Sequence, residues 1–393
     1  MNTLEATYRI VTPMFIGDAD QKATSLRPPS IKGALRFWWR ALNWGQFLDQ
    51  TEFDTTPALI AMHRAESELF GTASGQDRAQ QSCFLIQVTL EKTAHGNINP
   101  AQINHKADSG HSYLLGQGLY HFKNGYQRTA IAPNVSLHLR VLIRPGKDPA
   151  LLEKYHLQLE RALLVLGLLG GLGSRSRKGF GSLAIEKITS NILSVPHNSD
   201  EFRTILSKLI TTLPDPLPPF TALSKHSRID ISQTGNNAWN LLNEIGINQQ
   251  LYRSWGRNGM VGQNKAEQNF RDDHNLALKA VNGTCPSRLP KRIVFGLPSP
   301  YFFSSPPPKK LEIKPTGKDR GRRASPLFIH IHRFPDGTYA AIQTLLPAVF
   351  LPPSDQVILE TRALTNCCLP AHPDWHVIHN YLDRFGSRET LLP

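Results

Sequence analysis

The chain has 393 residues, 40% of them hydrophobic, and its 44 Lys and Arg outnumber 31 Asp and Glu for a formal net charge of +13. That length exceeds one ordinary compact core and suits two domains. The positive balance points to a polyanionic partner, nucleic acid first; an anionic membrane surface comes second, and no long basic amphipathic helix supports it.

Residues 1–16 lack the charged and apolar segments of a secretory signal. The longest nearly apolar run, Ala162 to Leu172, is too short to span a bilayer. The expected setting is therefore cytoplasmic, with no membrane partner. Cys83, Cys285, Cys367 and Cys368 form no CxxC element and read as free buried thiols in a reducing cytosol.

Residues 4–11 alternate in polarity and predict a strand. Pro28 and Pro29 precede Ser30, a good N-cap, and Ile31 to Leu48 predicts a helix. Ser82 to Leu90 is a strand, and Glu91 to Asn124, rich in Gly, Asn and His, a long loop or hairpin insertion. Val135 to Ile143 is a strand, Pro149 to Leu169 a helix stopped by glycines, and Ser182 to Ile188 a strand. This β-α-β-β-α-β order is the ferredoxin-like (RRM-like) split βαβ arrangement. It predicts an α+β first domain over 1–190, and 191–393 is expected to be a second copy with long insertions.

Residues 213–219, LPDPLPP, read as a linker or rigid turn. Beyond them helices are expected at 237–245 and 264–281, strands at 291–297, 326–333 and 338–345, and a final helical region at 355–384. Residues 303–323, dominated by Pro, Ser, Lys, Arg and Gly, are expected to form an exposed, mobile loop.

Two constellations stand out. In the first, Arg27, Lys32, Arg36 and Arg40 occur with no acidic residue between Arg27 and Asn43. Lys32, Arg36 and Arg40 are four apart and share a helix face; Ile31, Leu35, Trp38 and Leu42 cluster opposite as the core face. Trp39 falls on the basic side, where a base could stack on its ring while the cations hold phosphates. It could instead cover neighbouring apolar surface above merely solvated cations.

The second is GLLGGLGSRSRKGFGSL, Gly167 to Leu183. Gly170, Gly171, Gly173, Gly179 and Gly181 permit turns and close approach of a ligand. Arg175, Arg177 and Lys178 supply cations, Ser174 and Ser176 hydroxyls, and Phe180 could stack or plug the loop. The segment follows a helix and lacks GK[ST], so it is neither a Walker A loop nor a dinucleotide fingerprint. A cationic loop with many backbone donors suits a nucleic-acid backbone.

These motifs resemble those of the RAMP superfamily of CRISPR systems. Thr12 to Leu42 resembles the N-terminal signature of the first subunit of type III-B (Cmr) effector complexes, and GGLGSRSRKGFGSL the superfamily's glycine-rich loop. FGLPSP at 295–300 and GRRASPL at 321–327 resemble the C-terminal half. The resemblance implies two ferredoxin-like domains, guide RNA, target RNA and other Cmr subunits as partners, and a place near the 3′ region of the guide in target capture. It adds Arg322 and Arg323 to the basic residues expected to bind RNA.

The rival reading is a metal-independent RAMP endoribonuclease that processes guide precursors, which would want a histidine base beside a cation. His63, His111 and His121 lie near plausible loops, none in a recognisable catalytic context. Asp18 and Asp20 follow the first strand and could bind Mg²⁺ or serve as an acid, but read first as loop caps. His372, His376 and His379, or His330 and His332, have spacings that could hold a metal, but Pro373 and the lack of a nearby cysteine weaken the first set. The expectation is a binding subunit with no catalytic residue, metal, cofactor or small-molecule substrate.

Overall fold

The computed structural model describes the chain except residues 1–2, 18–21, 24, 74–78, 92–96, 99–108, 117, 122, 146–147, 190–193, 257, 305–306, 318–320 and 393. In the first half, strand β1 (Thr3–Ile10) turns Leu4, Ala6, Tyr8 and Ile10 inward, as its alternation requires. Helices α1 (Pro28–Asp49) and α2 (Thr55–Phe70) follow, then β2 (Phe84–Leu90), the short α3 (Gly110–Leu115), β3 (Ser136–Ile143), α4 (Pro149–Leu169) and β4 (Leu183–Ile188). The strands form one antiparallel sheet in the order β2-β3-β1-β4.

After α5 (Ser199–Leu209), the second half runs β5 (Arg228–Gly235), α6 (Ala238–Arg253), α7 (Arg271–Val281), β6 (Ser299–Phe303), β7 (Lys309–Pro315), β8 (Leu327–Arg333), β9 (Tyr339–Leu345), β10 (Val357–Thr361), β11 (Leu364–Leu369), α8 (His376–Asp383) and β12 (Glu389–Leu392). Strands β8-β9-β5-β12 form a second antiparallel sheet. Numbered by appearance, both sheets carry their strands in the order second, third, first, fourth. The segments inserted after α6 and after β9 pair into a third antiparallel sheet, β6-β7-β10-β11, with its own core of Ile293, Leu311, Ile313, Val357 and Leu359.

Several expectations change. Helix α1 begins at Pro28 with Arg27 as its N-cap residue, because prolines suit the first helical positions, where no N–H needs a partner. Residues 291–295 form a 3₁₀ turn, not a strand. Region 355–384 is two strands and a short helix, not one helical segment. Lys309–Pro315 is strand β7, paired on both sides, so 303–323 is not one open loop. Cys285 and Cys367 are disulfide-bonded, with Cα atoms 5.7 Å apart, in place of the expected free thiols. Cys83 is free and buried as expected, whereas Cys368 is free but exposed.

The two large sheets meet at edge strands β4 and β8. Here backbone meets backbone through the glycine-rich loop. The Ile329 N–H donates to the Arg177 carbonyl (3.1 Å), and the Ile331 N–H to Ser182 Oγ (3.1 Å). His330 Nδ1 donates to the Gly170 carbonyl at 2.7 Å. A polar edge that would otherwise be open to other chains is thus closed.

Helix α2 decides the fate of Trp39. Asp54 caps it by accepting from the Thr56 N–H, and its Phe70 ring lies 5.9 Å from that of Trp39. Phe47 packs at 6.1 Å, and the indole N–H donates to Gln158 Oε1 of α4 at 3.3 Å. Trp39 is 0% exposed and Trp38 3%, so both are core. Trp39→Ala should therefore cost about 3–5 kcal/mol of folding stability, as Trp38→Ala should. Urea unfolding of the two variants checks this; a Trp39 variant as stable as the parent would contradict the packing.

His330 and His332 sit buried between the halves. Burial lowers the His330 pKa from 6.5 to about 4, the Gly170 carbonyl opposing it, and burial, then His330, also holds His332 well below the usual histidine range. Between pH 6.5 and about 4 the unfolded chain then binds more protons than the folded one, so stability falls as pH falls through that window. His330→Asn keeps a donor toward Gly170 but cannot titrate. Unfolding across a pH series should show a shallower acid loss for this variant; an unchanged slope would exclude the assignment.

Candidate nucleic-acid interface

The glycine-rich loop leaves α4 at Gly170 and folds back into β4. Gly181 has φ +64°, and a Cβ there would lie 2.1 Å from the Leu172 carbonyl oxygen; Gly179 has φ +82°, with its Cβ 2.4 Å from Leu242 Cδ1 of α6. Added Cβ atoms would also strike Trp38 Nε1 at Gly170, the Gly181 carbonyl at Gly171, and the Phe15 carbonyl at Gly173. The close approach these five glycines permit is to the chain itself. Phe180 is fully buried, edge-on to Phe15 at 5.6 Å, so it plugs the loop and cannot stack on a base.

The loop cations divide by direction. Arg177 is half-buried, donates to the Ser325 carbonyl at 2.9 Å, and lies 4.5 Å over Phe328 and 5.4 Å over Phe37. Burial, with Arg323 nearby, pushes its pKa down to about 10. Arg177 is thus a clasp between the halves. Lys178 Nζ donates to Gln249 Oε1 at 3.2 Å. Burial, then Arg253, Arg175 and Arg177, hold its pKa well below that of an ordinary lysine. Arg175 has φ 63° and is exposed as a residue, while its guanidinium reaches toward Gly116; partial burial of that group, then Arg322, lowers its pKa.

Arg322 and Arg323 come from the segment before β8. Arg322 is exposed. Arg323 is half-buried, 5.8 Å over Phe350, and its Nε and one terminal nitrogen have no hydrogen-bond partner among the described residues. Both line an open cavity of about 840 Å³ together with Phe220, Val349 and Phe350. The structure therefore brings Arg175, Arg177, Lys178, Arg322 and Arg323 to one seam, and adds Arg253 of α6, which the sequence reading missed. The alternation of Arg and Trp in RSWGR, Arg253 to Arg257, was the available signal.

The α1 cations lie elsewhere. Arg36 Nε is 2.5 Å from Glu66 Oε1 of α2, Arg40 Nε 4.0 Å from Oε2, and Arg36 also donates to the Gly71 carbonyl at 2.7 Å. Lys32 lies 5.5 Å over the Phe84 ring. Arg27 is exposed at the start of the helix. The face expected to offer three free cations is thus largely engaged by α2 and β2.

His111 is buried, stacked 3.5 Å from Trp239, with Nε2 2.7 Å from the Trp239 carbonyl. Asp18 and Asp20 lie outside the described residues. Among the described residues, no group of three His, Cys, Asp or Glu could hold a metal, and no helix is long and apolar enough to cross a membrane.

Residues 7–184 match the model of the RAMP superfamily. The chain is 25% identical over 191 residues to the CRISPR system Cmr subunit Cmr1-2 of Pyrococcus furiosus, covering 47% of this chain and 95% of that protein. It is 26% identical over 246 residues to Cmr1-1 of the same organism, covering 58% of this chain and 65% of that protein. Its fold is similar to the crystal structure of apo Cmr1 from Pyrococcus furiosus, with a TM-score of 0.58 at 18% identity over 100% of this chain and 99% of that one. It is also similar to a chain of a type III-B Cmr-beta complex bound to cognate target RNA, with a TM-score of 0.50 at 14% identity over 98% of each chain. Residues 7–184 thus resemble the RAMP superfamily, and the chain as a whole is similar in sequence and fold to Cmr1 subunits.

Proposed function

We propose that this chain is a type III-B Cmr subunit that binds RNA without cleaving it, holding guide and target RNA near the guide 3′ end within the effector complex. The observation that carries the reading is the seam: Arg177 reaches the Ser325 carbonyl and Lys178 reaches Gln249, so cations of the first half lie against the second, where Arg322 and Arg323 line one cavity. Partly dehydrated guanidinium and ammonium groups collected in this way gain most from a phosphate. We read the chain as two ferredoxin-like domains, 1–190 and 191–393, because both large sheets repeat one strand order. The second domain carries the third sheet as its insertion.

No observation favours the endoribonuclease reading. His111 is packed under Trp239, and His330 and His332 are held neutral inside the contact between sheets. Incubation with labelled repeat RNA and with unstructured RNA, with and without Mg²⁺, tests it directly: retention without cuts is expected, and site-specific cuts would overturn the binding-only reading.

Arg175→Ala combined with Arg322→Ala should leave folding intact, since both residues are exposed, while weakening RNA binding. The dependence of log affinity on log salt should become shallower by about 1.4, at about 0.7 per lost phosphate contact to a single strand. Parental affinity and salt slope in this variant would remove the seam from the interface.

A further inference from the structure

A second cleft opens between the end of α6, the start of α7 and strand β6. Its volume is about 260 Å³, roughly nine waters at ~30 Å³ each. Arg253 and Arg292 form its cationic side. Arg292 donates to the Arg253 carbonyl at 3.0 Å and lies 4.3 Å over the Tyr301 ring; Arg253 lies 4.4 Å over Phe295, and its Nε has no partner among the described residues.

The other walls are aromatic. Trp255 stacks on His274, with centroids 4.1 Å apart and planes 12° from parallel, and Phe303 lies 5.2 Å from His274. Phe302 is 63% exposed, with Lys310 Nζ 5.7 Å above its ring. One carboxylate lines the cleft: Asp273 accepts from the backbone N–H groups of Lys291 (2.8 Å) and Arg292 (2.7 Å), so its oxygens are committed to the 3₁₀ turn. Guanidinium on one side and ring faces on the other are what an unstacked nucleotide requires.

The cleft joins the seam along α6: Lys178 Nζ donates to Gln249 Oε1 at 3.2 Å, and Arg253, one turn further on the same helix, carries the Arg292 contact. A second cavity of about 200 Å³, lined by Tyr113, Arg253, Arg292 and Gly296, extends past the same two guanidiniums.

We propose that this cleft takes one unstacked nucleotide of a single-stranded RNA whose backbone is held at the seam. Arg253 and Arg292 meet its phosphate, and Trp255 and Phe302 meet its base. This rests on the RNA-binding reading above, and the experiment separates the two.

The test crosslinks 4-thiouridine-containing single-stranded RNA to the full chain and maps the modified residues by mass spectrometry, beside affinities of Trp255→Ala and Phe302→Ala. Crosslinks are expected at Trp255, His274 or Phe302, and each variant should bind about tenfold more weakly. Phe302 is exposed, so its variant stays informative even if Trp255→Ala fails to fold. RNA that binds but crosslinks only around Arg175 and Arg322, with Phe302→Ala binding as the parent does, would overturn the cleft and leave the seam. Absence of RNA binding by the parent chain would overturn both. UMP binding as tightly as the oligonucleotide would overturn the assignment to a strand-borne nucleotide in favour of a free one.

Discussion

The docking of strand β8 onto the glycine-rich loop is the constraint on which the rest depends. Two sheet edges with unpaired backbone groups face each other, and the loop between α4 and β4 mediates the contact. Backbones can approach this closely only where side chains are absent, which is why Gly179 and Gly181 sit where any Cβ would collide with Leu242 or the Leu172 carbonyl. Thr12 reinforces the turn by donating to the Gly179 carbonyl at 2.6 Å and accepting from the Ser182 N–H. Once the loop is fixed this way, its side chains have few choices of direction. Phe180 must turn into the core, Arg177 must cross to Ser325, and Arg175 is left at the surface.

The same contact explains how cations from distant sequence positions share one site. Arg322 and Arg323 precede β8 by only a few residues, so docking β8 on the loop delivers them beside Arg175 and Arg177. Such a cluster costs folding free energy through dehydration and mutual repulsion. Part of that cost is offset by what arginine does well: Arg177 spreads its charge over Phe328 and Phe37, and Arg323 lies over Phe350. Lys178 gives a hydrogen to Gln249. The remaining repulsion among these groups is what an RNA phosphate at the proposed site would relieve.

Much of the first half was legible because its strands obey simple alternation: Leu4, Ala6, Tyr8 and Ile10 mark one face of β1 whatever surrounds them. The second half repeats the same strand order, yet its pattern is interrupted after α6 and again after β9. The two interruptions pair with each other into the third sheet, a contact between segments some fifty residues apart that local periodicity does not reveal. Lys309–Pro315 illustrates the difficulty. Its Lys, Glu and Pro suggest an open loop, but Leu311 and Ile313 face a core built mostly from other segments.

The two basic constellations looked alike in sequence, each with cations spaced around an aromatic ring, and the structure separates them by one residue. A helical wheel assigns one buried face and one wet face, which holds when a helix has neighbours on one side only. Helix α1 has α4 and α2 as neighbours, so Trp39 is enclosed from the side expected to face a ligand. The neighbour also brings Glu66, a buried carboxylate that Arg36 and Arg40 reach. At the seam the main charges acting on Lys178 are those of Arg253, Arg175 and Arg177. The distinction between the structural basic face of α1 and the face proposed to bind RNA therefore lies in which elements tertiary packing brings against each, and not in the spacing of its arginines.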